Sequence, residues 1–215
     1  HPYDFHRLRY VIAGAEKLSD TVHNLWVEKF GIRILEGYGA TETAPVLAVN
    51  TPTAYCSGTV GQLLPGIEAR LVPVPGIERG GLLHVRGPNV MSGYYRYEHP
   101  GLLEPPQSEV GAGWYNTGDV VEIDEHDFVH ILGRVKRFAK IAGEMISLEV
   151  VEKIAQHAAP DAQHAASTHA DSQRGEAIVL FSTETALSRE ALQQAARALG
   201  YPELAVARKI IPVEA

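Results

Sequence analysis

Residues Ile34 to Pro45 read ILEGYGATETAP. An apolar strand runs into two glycines, Gly37 and Gly39, set around Tyr38. A hydroxyl at Thr41 and a carboxylate at Glu42 follow at once. A plain turn needs one glycine. Two glycines and a hydroxyl after a strand can instead cradle a phosphate, because backbone N–H groups then approach the anion closely. Glu42 suits Mg²⁺, a hard cation that prefers carboxylate and phosphate oxygens. The Tyr38 ring offers a flat face for a base. An ordinary strand-to-loop exit with a polar surface fits the same residues, since short Gly-rich patterns are common.

Upstream, LRYVIAG reads as a short strand ending at Gly14. Then LSDTVHNLWVEKFG has Ser19 as N-cap and Val22, Leu25, Trp26 and Phe30 at helical spacing, with Gly31 as the stop. Strand, helix, strand makes a β-α-β unit over residues 1–50 and predicts a parallel sheet edge. In open α/β sheets ligands favour the carboxyl ends of strands, which is where Gly37 to Glu42 falls.

Downstream the texture changes. From 51 to 133 short strands alternate with Gly/Pro turns, as in SGTVGQLLPGIEARLV and GGLLHVRGPNVM. VVEID and FVHIL flank Glu125-His126-Asp127 as a hairpin. This predicts a small antiparallel β unit, with a barrel as one form. After Gly133 a basic run, GRVKRFAKIAG, opens a unit of residues 134–215 of α+β type. It holds a helix capped by Ser147 with Val150, Val151, Ile154 and Ala155 on one side, the strand EAIVLFST, and a helix from Ser188 to a stop at Gly200. The boundary is expected between Arg134 and Lys136. The fold class is therefore α/β plus α+β.

The bulk numbers bound the function classes. The 215 residues carry 26 acidic and 19 basic side chains, a net charge of −7, which argues against a broad nucleic-acid footprint. Cys56 is the only cysteine, so no internal disulfide forms, and a reducing compartment fits. No run nears the roughly 18 apolar residues of a membrane span. HPYDFHRLRY has no apolar segment of the signal-peptide kind. His157, His164 and His169 lack helical i, i+4 or zinc spacing and read as a surface helix end and loop. Cys56 lacks a histidine partner and reads as a small loop or buried residue. Trp26 and Trp114 read as packing residues.

Two further stretches carry chemistry. In GWYNTGDVVEID, Asp119 follows Thr117-Gly118 just before a strand. A carboxylate there can accept both hydroxyls of a ribose, or simply cap its own turn. Arg134, Lys136, Arg137 and Lys140 lie within seven residues. They read as a solvated linker, or as a strip for an anionic partner.

Together these stretches resemble, in order, the core motifs of the adenylate-forming superfamily. That superfamily includes acyl-CoA synthetases, luciferases and the adenylation domains of peptide synthetases. Tyr38-Gly39-Ala40-Thr41-Glu42 matches Y-G-x-T-E. GGLLHVRGPNVMSGYY is similar to the family's G-E-L motif, with Gly81 in place of Glu. Gly113 to Asp119 matches G-W-x-x-T-G-D, and Gly133 to Glu152 is similar to the motif that opens the mobile C-terminal domain. VIAGAEKL resembles the adenine-pocket segment. Arg137-Phe138-Ala139-Lys140 replaces the usual Asp-x-Ile-Lys, and Leu148 stands where many relatives have Pro. These variants, with GPNVMSGYYRYEHPGLLEPP and PELAVARKI, are similar to the synthetase half of bifunctional bacterial 2-acylglycerophosphoethanolamine acyltransferase/acyl-acyl-carrier-protein synthetases.

The resemblance implies a set of roles. Residues 1–133 would end the large AMP-binding domain and 134–215 would be the small mobile one. ATP/AMP and Mg²⁺ would be the cofactors. Tyr38 would stack on adenine, with Gly14, Ala15 and Glu16 at its edge and Gly37 and Gly39 beside it. Thr41 would touch the α-phosphate and Glu42 would bind Mg²⁺, the two forming the catalytic pair. Asp119 and Arg134 would hold the ribose. Lys136 would be the hinge, and Lys140 would belong to the same nucleotide-binding set. Fatty acid, acyl carrier protein and, for the parent enzyme, a lysophospholipid would be the partners, with no nucleic acid and the oligomeric state left open. The parent would work at the cytoplasmic face of the bacterial inner membrane. The phosphate loop would precede His1 and the catalytic lysine would follow Ala215, so the isolated chain is expected to be inactive. A generic acyl-CoA synthetase and a non-catalytic carrier-docking module are the alternative readings.

Overall fold

The computed structural model describes residues 2–171 and 175–214. Two compact units emerge, one of residues 1–72 and 80–131, the other of 73–79 and 132–215. The division thus falls slightly before the expected Arg134. It also gives the second unit Pro73–Arg79, which sequence reading left in the first. Close contact explains this. A Cβ on Gly76 would lie 2.9 Å from Met145 Cγ, so this loop packs directly on a turn of the second unit.

In the first unit, strand Val11–Ala13 pairs in parallel with Ile34–Gly39, Val11 opposite Ile34 and Ala13 opposite Glu36. Helix α1 (Asp20–Phe30) is the crossover. Ser19 Oγ accepts the Val22 N–H at 3.3 Å, and Gly31 closes the helix at φ 66°. The first strand is shorter than LRYVIAG suggested, and α1 buries no residue completely. Its expected apolar stripe divides. Trp26 and Phe30 cluster with Phe5, while Val22 and Leu25 stay exposed.

Strand Val46–Val49 returns antiparallel to Ile34–Gly39, and Gln62–Leu63 extends that edge. A second sheet runs Val129–Arg134, Tyr115–Ile123, Gly81–Arg86, Glu68–Val72 in spatial order. It is open rather than a barrel. Its Val129 edge bonds to Val60 and Gly61 at 3.0 and 2.8 Å, which joins it to the first sheet. The hairpin around Glu125–Asp127 forms as the sequence predicts. Asp124 Oδ1 accepts the N–H groups of His126 and Phe128, both at 2.9 Å, and Asp127 takes φ 65°. Leu47, Ala48, Leu83, Val85, Val121 and Val129 fill the core together with the Tyr38 ring. Trp114 is buried, as expected, between the guanidinium groups of Arg70 and Arg86. Cys56 sits in the loop before Thr59, its carbonyl accepting the Thr59 hydroxyl at 2.9 Å.

In the second unit, strands Phe138–Ile141 and Glu144–Ser147 form a hairpin. Its two-residue turn, Ala142-Gly143, has positive φ at both positions (52° and 93°), which matches strand twist. Strand Gly175–Ser182 is central, antiparallel to His164–Asp171 over eight residues and parallel to Lys209–Pro212. Helices α2 (Leu148–Ala158) and α3 (Arg189–Ala198) bury Val151, Ile154, Ala155, Leu192, Ala195 and Ala196 against Ile178 and Leu180. Ser188 caps α3 as predicted, accepting the Ala191 N–H at 3.1 Å, and Gly200 follows its end at φ 74°.

Two expectations fail here. Ser147 takes the N-cap position of α2, but its hydroxyl makes no capping bond, because the residue is still paired with Phe138 in the hairpin. His164 and His169 lie on a strand rather than a helix end and loop. The apolar strand Gly175–Ser182 recruits the Ala-rich HAASTHAD by full-length pairing, which overrides its weak β-propensity.

The buried polar side chains of the first unit include a histidine. His84 is fully buried, its Nδ1 2.9 Å from Ser108 Oγ and its Nε2 3.4 Å from the Glu109 carboxylate. Burial pushes its pKa down, and the Glu109 charge opposes this only in part. The unfolded chain then binds the extra proton more readily, so folding stability falls as pH drops through the unfolded histidine value near ~6.5. We expect urea midpoints to decline from pH 7 to pH 5, and His84→Gln to flatten that slope.

Candidate functional site

The site begins where two parallel strands end side by side. Gly14 directly follows Val11–Ala13, and a Cβ placed on it would lie 3.1 Å from the Gly37 carbonyl oxygen. The exposed Gly14-Ala15-Glu16 turn therefore borders Gly37. Ala15 holds φ 71°, a left-handed conformation costing a non-glycine residue roughly 1–2 kcal/mol. Strain of this kind clusters at ligand sites.

Gly37, Tyr38 and Gly39 do not form the loop that their glycines suggested. All three stay in strand Ile34–Gly39, and Gly37 and Gly39 pair with Val49 and Val46. Their backbones thus belong to the ladder rather than to a phosphate cradle. Gly39 answers a different need. A Cβ there would lie 1.7 Å from the Pro45 carbonyl oxygen. The chain turns only at the short 3₁₀ segment Thr41–Thr43. Fully buried Thr43 fastens it, donating to the Ala40 and Pro45 carbonyls at 2.9 and 2.7 Å and accepting the Ala40 N–H at 3.0 Å. Asn89, from GPNVM, braces the turn by donating to the Thr43 and Val46 carbonyls at 2.7 and 2.8 Å.

Tyr38 and Asp119 meet. The Tyr38 hydroxyl donates to Asp119 Oδ2 at 2.6 Å, across 81 residues of chain, and both side chains are buried. Burial, and then the Asp119 charge, raise the Tyr38 pKa well above the usual tyrosine value. Asp119 lies inside strand Tyr115–Ile123 rather than before it, beyond a register shift between Asn116 and Val120 that contains Gly118 at φ 75°. Nor does it cap its own turn with that oxygen. Asn116 Oδ1 accepts the Gly118 N–H at 2.8 Å instead. Thr117 steadies the bulge, donating to the Leu83 carbonyl at 2.9 Å and accepting the Asp119 N–H at 3.1 Å.

Thr41 is exposed and Glu42 partly so. Glu42 Oε1 accepts the Tyr94 hydroxyl at 2.7 Å, and its main-chain carbonyl accepts the Met91 N–H at 2.8 Å. Tyr115 stands near Glu42 and Tyr94. The Tyr94 hydroxyl chiefly holds the Glu42 carboxyl below its ordinary pKa. Burial, then the Glu42 charge, push Tyr115 upward. Sequence reading missed Tyr94, Tyr115, Thr43 and Asn89. A signal existed for Tyr115: Tyr115, Thr117 and Asp119 are alternate residues, so one strand face presents all three. No comparable signal marks Tyr94.

Among the described residues, no group of three His, Cys, Asp or Glu side chains is placed to hold a metal. Mg²⁺ usually takes one or two carboxylates and completes its shell with phosphate oxygens and water, so a lone anionic Glu42 fits that cation. Arg134, Lys136 and Lys140 belong to the second unit and are all exposed. Lys136 lies in the 3₁₀ turn Val135–Arg137. Arg137 is no loose charge. It grips Glu152 of α2 at 2.7 and 2.8 Å.

Comparison with known proteins accords with this geometry. Residues 1–95 match the family model described as AMP-binding enzyme. The long-chain-fatty-acid–CoA ligase of Escherichia coli O157:H7 is 34% identical over 185 residues, which is 83% of this chain and 32% of that protein. The 3-hydroxybenzoate–CoA/4-hydroxybenzoate–CoA ligase of Thauera aromatica is 31% identical over 69% of this chain and 28% of its own length. Among solved structures, ATP-bound MatB from Rhodopseudomonas palustris superposes with a TM-score of 0.75 at 27% identity, over 96% of this chain and 42% of that one. The fold is that of adenylate-forming enzymes. Within that class, the chain belongs to the AMP-binding acyl-CoA ligase family. It spans about a third of the length of the curated relatives it matches.

Two outcomes follow from the packing. Gly39→Ala should lower the urea unfolding free energy by about 3 kcal/mol, since the Pro45 carbonyl cannot give way without opening the Thr43 turn. Tyr38→Phe should cost about 1–3 kcal/mol by the same measurement, because the buried Asp119 carboxyl loses a donor.

Proposed function

We propose that this chain is the nucleotide-facing part of an ATP-dependent, AMP-forming ligase acting on a fatty acid. The hydrogen bond between Tyr38 and Asp119 carries the reading. It brings two of the residues assigned to one nucleotide together across 81 residues of chain, the Tyr38 hydroxyl on the Asp119 carboxyl. Tyr38 is assigned to adenine, with Gly14, Ala15 and Glu16 at its edge, and Asp119 to the ribose hydroxyls; Arg134 is assigned to the ribose as well. Thr41 donates to the α-phosphate, and Glu42 holds Mg²⁺. Gly37 and Gly39 serve by letting neighbouring backbone close in. Lys140 stands with the nucleotide set on the second unit.

The fatty acid carboxylate attacks the α-phosphorus, the bond to pyrophosphate breaks, and acyl-adenylate forms. A thiol sulfur then attacks the acyl carbon and AMP leaves. A divalent cation held by Glu42 would supply neutralisation of phosphate charge. The chain's own residues orient the nucleotide and shield it from water, which is where phosphoryl-site catalysis chiefly resides. Lys136 is the hinge on which the second unit turns between the two half-reactions.

The named activity of the fatty-acid ligase relatives supports coenzyme A as the thiol acceptor. A second reading takes acyl carrier protein, with reacylation of a lysophospholipid at the cytoplasmic face of the inner membrane. Two features favour it: the Arg-Phe-Ala-Lys variant, and the exposed cations Arg134, Lys136 and Lys140, which suit an acidic carrier. Among the described residues no helix is long and apolar enough to cross a membrane.

The full-length protein should catalyse fatty-acid-dependent ATP–pyrophosphate exchange, and the 215-residue chain alone should not. AMP should bind the full-length protein in calorimetry, and Asp119→Ala should abolish that heat. Exchange that persists in Asp119→Ala would overturn the assignment.

A further inference from the structure

Glu42 lies on a turn that Thr43 and Asn89 fix from the main-chain side. Neither residue controls where its carboxylate points. A hydroxyl does. Tyr94 donates to Oε1 at 2.7 Å from the short strand Tyr94–Tyr95, and Tyr115, at the first position of strand Tyr115–Ile123, stands near enough to feel the Glu42 charge. Tyr94–Tyr95 pairs with Leu103–Glu104, and Glu104 ties that ribbon together through Arg96 and His99 at 2.5 and 2.8 Å. Gly93 makes the ribbon's approach possible. A Cβ there would fall 2.4 Å from the Glu104 carbonyl oxygen.

Neutral donors matter here. A lysine or arginine would cancel the charge of Glu42. A phenol orients the carboxylate and leaves it anionic, with lone pairs still available for a cation, since a carboxylate offers about four acceptor positions. An aromatic hydroxyl also has only two χ angles to fix, so a short ribbon can hold it in place.

We propose that Tyr94, supported by Tyr115, is a positioning residue for Glu42, aiming its carboxylate at the divalent cation of the bound nucleotide. This rests on the nucleotide-site reading above. The Gly93–Glu104 ribbon, which carries none of the superfamily roles assigned from sequence, thereby becomes part of the cation site.

The test uses the full-length protein and Mn²⁺ as a paramagnetic stand-in. Mn²⁺·ATP affinity is read by electron paramagnetic resonance, and AMP affinity by calorimetry in chelator. Tyr94→Phe keeps the ring and removes the hydroxyl. It should weaken Mn²⁺·ATP binding roughly tenfold, the scale of one hydrogen bond to a charged group, while AMP affinity without metal stays unchanged. In a Glu42→Gln background the same change should add nothing, because the two residues act as one unit. Tyr115→Phe should act in the same direction. Unchanged Mn²⁺ affinity in Tyr94→Phe overturns the proposal, as does an equal loss of metal-free AMP binding, which marks a merely structural tyrosine. Wild-type protein that binds Mn²⁺ or AMP in neither assay overturns the nucleotide-site reading itself, and this proposal with it.

Discussion

The hydrogen bond from Tyr38 to Asp119 is the constraint on which the first unit depends. It joins the last turn-ward residues of a mixed sheet to the bulge of an antiparallel one, and no covalent neighbour brings those two places together. Both groups are buried, so the bond is strong where it stands and costly to break. Once it forms, the register of the Tyr115–Ile123 strand is fixed relative to the Tyr38 end. Thr117 then anchors the bulge to the Leu83 carbonyl, and Tyr115 begins the same strand.

The chemistry of this region is unusual in its economy of charge. The Tyr38 hydroxyl donates to Asp119, and the Tyr94 hydroxyl donates to Glu42. Hydroxyl donors stabilise each carboxylate by roughly the value of a charge-assisted hydrogen bond without supplying a cation. Arg86 lies over Trp114 and against Glu68, and Arg96, which lies over the Tyr94 ring, bonds Glu104 rather than Glu42. A site that keeps its acidic charge uncancelled is predisposed to a ligand that brings its own positive ion. The aromatic rings also supply apolar bulk, so the same side chains lower the local dielectric and strengthen the contacts they make.

Much of this was legible in the sequence. Helix limits followed from Ser19, Gly31, Ser188 and Gly200, because caps are local and their chemistry is carried by single residues. The β-α-β order followed from the switch between strand and helix periods. Tyr38, Thr41, Glu42 and Asp119 stood out because their residue types are rare in plain turns. What escaped was non-local. The need for Gly39 lies in the Pro45 carbonyl, six residues on but folded back against it. The strand His164–Asp171 exists through its partner, since Ala, Ser and His give it little propensity of their own. Tyr94 sits in a run of exposed tyrosines, and nothing local separates the one that reaches Glu42 from its neighbours Tyr95 and Tyr97. Loop Pro73–Arg79 follows a first-unit strand in sequence but packs with the second unit.

In the second unit the basic run resolves into two kinds of residue, and the difference bears on hinge motion. Arg137 is clamped in a bidentate grip by Glu152, whose Oε1 also accepts the Ala166 N–H at 2.8 Å. That carboxylate thus ties the 3₁₀ turn, helix α2 and the strand His164–Asp171 into one body. Lys136, one residue earlier, is exposed, and its turn buries no residue. Flexibility in a packed protein is confined to residues whose φ and ψ can change without breaking buried contacts. The Arg137 clamp holds the far end of that turn, and Lys136, inside the same turn, is exposed. On the reading proposed here, Lys136 serves as a hinge because of the pair that follows it: a motion spread over several residues would have to pull Arg137 from Glu152, whereas one concentrated at Lys136 leaves that pair intact.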